Sequence, residues 1–129
     1  MNILIIDDDR LLSSCLRDYL LDKGISASCL SDGKLAANWL DESPCDAIVV
    51  DLKMPDFDGI AVTRMIREKD PEIPVLIWTG LGYDDRLIER AREAGANGFL
   101  SKVMGPKAIL MTLLQLVDRR HDAGRLLAA

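Results

Sequence analysis

Five residues spread along this chain would, if gathered in one place, make a site for phosphorus chemistry. Asp7, Asp8 and Asp51 are carboxylates, Thr79 is a hydroxyl and Lys102 an ammonium. Three crowded carboxylates repel, and one should take up a proton unless a cation joins them. A hard divalent ion resolves the conflict. Mg2+ prefers oxygen ligands and typically takes one or two carboxylates, several waters and a phosphate oxygen. Asp51 would then serve as a nucleophile toward phosphorus, giving an aspartyl phosphate. Mg2+ and Lys102 would neutralise charge on the transferring group, Thr79 would donate a hydrogen bond to it, and Gly80 has no side chain to block the approach.

Whether the five residues meet depends on the elements that carry them. Apolar runs at 2–6 ("NILII"), 47–50 ("AIVV") and 74–78 ("PVLIW") read as buried strands, with weaker strands at 25–30 ("ISASCL") and 98–101 ("GFLS"). Helices alternate with them. In residues 10–23, Leu12, Cys15, Leu16, Tyr19 and Leu20 fall on one helical face, and Gly24 stops the helix. Ser31 or Asp32 can cap a second helix carrying Leu35, Ala36, Trp39 and Leu40. Asp58 caps a third, with Ile60, Val62 and Ile66 recurring. "YDDRLIERAREAG" is the fourth, with Leu87, Ile88 and Ala91 inward. Pro106 opens the fifth, which carries Ile109, Leu110, Leu113, Leu114 and Val117. Residues 121–129 read as a tail or truncated linker after a domain of 1–120.

Strands alternating with helices predict an α/β fold: a five-stranded parallel sheet, order 2-1-3-4-5, with five helices on both faces. Ligands of such sheets bind beyond the carboxyl ends of the strands, where strand order reverses. Here that point lies between the first and third strands, which end in Asp7–Asp8 and in Asp51. The fourth strand ends at Thr79 and the fifth beside Lys102. Asp9 reads as a helix cap and Asp56 as a turn residue.

Length and composition limit the alternatives. The 129 residues suit one domain, with 49% hydrophobic and 29% charged residues. A net charge of −5 disfavours nucleic acid as a partner. No run is long enough to span a membrane, and the start lacks a basic signal-peptide region, so a cytoplasmic protein is expected. Cys15, Cys29 and Cys45 show no C-x-x-C spacing, and with His121 as the lone histidine a zinc site is not expected. Cys15 is expected on the inward face of the first helix.

The motifs "IIDDD" (5–9), "VVDLKMPDFDG" (49–59), "IWTG" (77–80) and "GFLSK" (98–102), in order and in register with five βα units, resemble the receiver domain of two-component response regulators. The resemblance implies that Asp51 is the phosphoacceptor, with Asp8 a direct Mg2+ ligand, Asp7 acting through water and Lys53 offering its backbone carbonyl. It implies Thr79 and Phe99 as the switch pair and Lys102 as the partner of the phosphoryl group. The donor would be a histidine on a sensor kinase or phosphotransfer protein, and the altered surface that of helix four, strand five and helix five, through which a homodimer is also possible. Phe99 reads equally as a core aromatic.

Two features depart from the pattern. Val103 stands where many receivers carry a cis proline, so a trans bond and a rearranged loop at 102–105 are expected. Leu81 is apolar and would not position a hydrolytic water, which predicts slow self-dephosphorylation. Rival readings fare less well. A haloacid-dehalogenase-like phosphatase needs a second acid two residues past its nucleophile, where this chain has Lys53. A nucleotide site lacks its motif: "GLGYDD" ends in Asp85 and follows the fourth strand. A pseudo-receiver that only docks partners would not need the full set of acids.

Overall fold

The computed structural model describes residues 1–54, 58–80 and 85–128, the stretch 121–128 as backbone alone. Five strands, β1 (Asn2–Ile6), β2 (Ser26–Leu30), β3 (Ala47–Val50), β4 (Val75–Thr79) and β5 (Gly98–Ser101), form one sheet in the order β2-β1-β3-β4-β5. Every pairing is parallel. The helices are α1 (Arg10–Asp22), α2 (Ala36–Glu42), α3 (Gly59–Lys69), α4 (Asp85–Ala94) and α5 (Gly105–Ala128).

Strand side chains alternate faces, so each strand feeds two cores. Leu4, Ile6, Ile48, Val50, Val75 and Ile77 pack with Ala36 of α2, Ile60 and Ile66 of α3 and Ala91 of α4. Ile3, Ile5, Val49, Leu76 and Trp78 pack with Leu16 and Leu20 of α1 and Ile109, Leu113 and Val117 of α5. All four residues of β3 are buried, as a parallel strand covered on both faces requires.

Helix starts follow their capping residues. The Leu12 N–H donates to Asp9 Oδ1 at 3.0 Å, and the Ala61 N–H donates to Asp58 Oδ1 at 2.8 Å. Asp32, the other expected cap, accepts from the Lys34 N–H at 2.9 Å and starts a 3-10 turn, Gly33–Leu35, ahead of α2. Gly24 and Gly95 close α1 and α4 with φ of 81° and 114°, a region that favours glycine.

The structure departs from the sequence reading in several places. Cys15 is exposed, and Ser13 takes the buried position, its hydroxyl donating to the Asp9 carbonyl at 2.8 Å. That bond satisfies the hydroxyl locally and lets a polar residue sit inside. Leu35 and Leu114, expected inward, are exposed. The last helix runs on to Ala128, through the stretch read as a tail or linker. Asp56, Leu81, Tyr83 and Asp84 lie outside the described residues.

Candidate functional site

The ladder between the central strands sets the acids side by side. Ile6 is in register with both Leu30 and Val50. One step on, the Asp7 N–H donates to the Leu30 carbonyl at 3.0 Å and the Asp51 N–H donates to the Ile6 carbonyl at 2.9 Å. Both carboxylates therefore leave the sheet at the same level, at the crevice where strand order reverses. Asp7 is 1% and Asp51 6% exposed, while Asp8 is open to solvent. One oxygen from each of the three lies within 4.8 Å of the others.

Lys102, just past β5, reaches back over the sheet edge. Its Nζ lies 2.7 Å from Asp7 Oδ2 and 3.5 Å from Asp51 Oδ2. Thr79 ends β4, the strand between β3 and β5, and is in register with Ser101. Lys53 contributes its N–H to Asp51 Oδ1 at 3.4 Å, while its side chain is exposed. Phe99 lies one residue into β5, half-buried against the α2–α3–α4 core rather than in the crevice. No described peptide bond is cis. The Lys102–Val103 bond is thus trans, as expected, and Lys102–Met104 forms a 3-10 turn capped by Ser101, whose hydroxyl accepts from the Val103 N–H at 3.3 Å.

The electrostatics are those of an acid pocket with one cation for two buried carboxylates. Burial, and then the charge of Asp7, push the Asp51 carboxyl up to about 6 against the pull of Lys102. Burial alone would lower the Lys102 ammonium, but its contact with Asp7 and the charges of Asp51 and Asp7 outweigh this and raise it. Asp7 Oδ2 is buried, and the Lys102 ammonium at 2.7 Å is its partner. Three carboxylates with an oxygen each within 4.8 Å of the others, two of them buried and sharing one ammonium, suit a hard cation, and the donor set, all oxygen, matches Mg2+.

Two contributors were not evident from the sequence. Gly59, at the start of α3, abuts the backbone of Asp51: a Cβ there would stand 2.2 Å from the Asp51 carbonyl oxygen. Trp78 lies under Lys102, whose Nζ is 5.3 Å from the ring centroid. The spacing of Gly59, just after the cap Asp58, was a usable signal; nothing in the residue order pairs Trp78 with Lys102.

The response regulator receiver domain family model matches residues 3–114. The chain belongs to that family. It is 34% identical over 123 residues to the transcriptional regulatory protein QseB of Haemophilus influenzae, covering 94% of this chain and 54% of that protein. It is 33% identical over 121 residues to the response regulator MprA of Mycobacterium avium, covering 92% of this chain and 52% of that one. The chain thus spans about half the length of the curated relatives it matches. Among solved structures, the receiver domain of the Francisella response regulator 1452 aligns with a TM-score of 0.82 at 26% identity, over 92% of this chain and 97% of that one. The BeF3-activated DrrB receiver domain aligns with a TM-score of 0.79 at 27% identity, over 91% and 97%. Receiver domains are signalling switches of two-component systems; they bind Mg2+ at an acidic pocket and interact with histidine kinases or phosphotransfer proteins. Among the described residues, no helix is long and apolar enough to cross a membrane.

Proposed function

We propose that this receiver domain works in the cytoplasm and is switched by accepting a phosphoryl group on Asp51 from a sensor histidine kinase or phosphotransfer protein. The observation that carries this is the Lys102 ammonium set between Asp7 and Asp51 at the point where strand order reverses. Asp8 and Asp51 would hold Mg2+ directly, Asp7 through water and Lys53 through its carbonyl, and the ion would supply positive charge to the oxygens of the transferring group.

An Asp51 carboxylate oxygen attacks phosphorus. The O–P bond forms as the N–P bond to the partner's imidazole breaks, and the bonding pair stays on the imidazole nitrogen. Lys102 shifts its pairing toward the new phosphoryl charge. Thr79, on the strand between Asp51 and Lys102, donates to a phosphoryl oxygen. Phe99 turns into the space so released, and the α4–β5–α5 surface changes with it. That surface is also where a homodimer would form. The state with the better contacts from Thr79 and Lys102 gains population on phosphorylation.

The deciding experiment is intact mass after incubation with Mg2+ and acetyl phosphate. The wild type should gain one phosphoryl group, and Asp51→Asn or added chelator should abolish the gain. A folded wild type that gains nothing would leave the domain as a docking module. A chain that instead turns over p-nitrophenyl phosphate would be a phosphatase. Since a related receiver is known in a BeF3-activated form, the same ion with Mg2+ offers a second, non-covalent probe of the site.

A further inference from the structure

We propose that Trp78 is a positioning residue for phosphoryl transfer, its indole face holding the Lys102 ammonium at the acids. This rests on the reading of Asp51 as acceptor. Lysine has a flexible four-carbon stem and a point charge, so its ammonium goes where the surroundings send it. The loop beyond Lys102 supplies little anchorage, since Val103 is 89% and Met104 55% exposed. Asp7 and Asp51 attract the ammonium, yet that attraction weakens once a divalent cation neutralises them. The indole face neither titrates nor binds Mg2+, so its hold persists through the change.

The geometry suits the role. Trp78 is 3% exposed and locked in the α1–α5 core, while the Lys102 side chain is 17% exposed. The ammonium is 5.3 Å from the ring centroid, within the reach of a cation–π contact, and such contacts strengthen when shielded from water. The lysine stem passes over Gly80, where a Cβ would stand 3.8 Å from Lys102 Cδ, so the stem lies on open backbone.

The test is a cycle of variants of the 129-residue chain phosphorylated with acetyl phosphate and Mg2+ and followed by intact mass. Trp78→Leu should slow the reaction about fivefold in the Lys102 protein and leave it unchanged in Lys102→Met. Trp78→Phe, which keeps an aromatic face, should recover most of the rate. Equal slowing of Trp78→Leu in both lysine backgrounds, or no slowing in a folded variant, would overturn the proposal. A readout free of phosphorylation stands beside it. In Trp39→Phe, Trp78 is the sole indole, and Lys102→Met should shift its emission. If the wild type takes no phosphoryl group, the acceptor reading fails and Trp78 loses its role in transfer. The emission shift then still reports whether the indole holds the lysine, and its absence refutes the contact itself.

Discussion

At the scale of single residues, the acids were readable because a strand ending on a carboxylate is costly unless something compensates. Asp7 and Asp51 are both nearly inaccessible, and the cost is visible in the raised Asp51 carboxyl. The folded protein binds this proton more tightly than the unfolded chain, whose carboxyl keeps its ordinary 3.8, so stability from this group is lost as pH rises through about 6. Without metal, the melting temperature should rise as pH falls from about 7.5 to about 5.5. Asp51→Asn should flatten that rise and stabilise the neutral protein by on the order of 1 kcal/mol. A calorimetric pH series in chelator checks both. Gly59 carries a second prediction. Gly59→Ala forces a methyl into the Asp51 and Leu52 backbone, so urea melts should show a loss of about 2 kcal/mol and phosphorylation should slow with it. Trp78 was readable only as a core residue, because its contact with Lys102 joins two strands across the end of the sheet.

At the scale of elements, all five strands and five helices were foreseen, since the hydrophobic periods and caps point the same way. The errors came from weighing apolar character alone. Cys15 looked inward beside Leu16, but α1 is rotated to bury Ser13, which its bond to the Asp9 carbonyl permits. The two 3-10 turns escaped notice because they follow from cap geometry rather than periodicity. So did the tie made by Arg67. Its guanidinium donates to the carbonyls of Gly95 at 3.0 Å, Asp70 at 3.1 Å and Ile73 at 2.6 Å, and to Asn97 Oδ1 at 2.7 Å. One side chain thereby fastens α3 to the turns before β4 and β5. Arg67→Met should cost about 2–3 kcal/mol in chemical denaturation, because it strands partly buried carbonyls. Arg67→Lys should recover little of it, since an ammonium cannot fork to four acceptors.

At the scale of the whole molecule, the family match ends at residue 114 while α5 continues to Ala128, about 36 Å in all. The sequence reading took residues 121–129 as a tail or truncated linker because they had no partner element. We expect a chain cut after Arg120, which keeps the ion pair of Arg120 with Asp70, to melt within a few degrees of the full chain and to be phosphorylated at the same rate. Calorimetry and intact mass check the two halves of that expectation. The sheet itself divides the molecule. Trp78 and Leu100 belong to the core under α1 and α5, whereas Phe99 belongs to the core under α2, α3 and α4. On the function proposed above, a substitution in the first layer would reach Lys102 and the handling of the phosphoryl group, and one in the second would reach Phe99 and the outer surface. Inheritance could then adjust how readily a message is taken up separately from what it says, because the two properties would be stored on opposite sides of one wall.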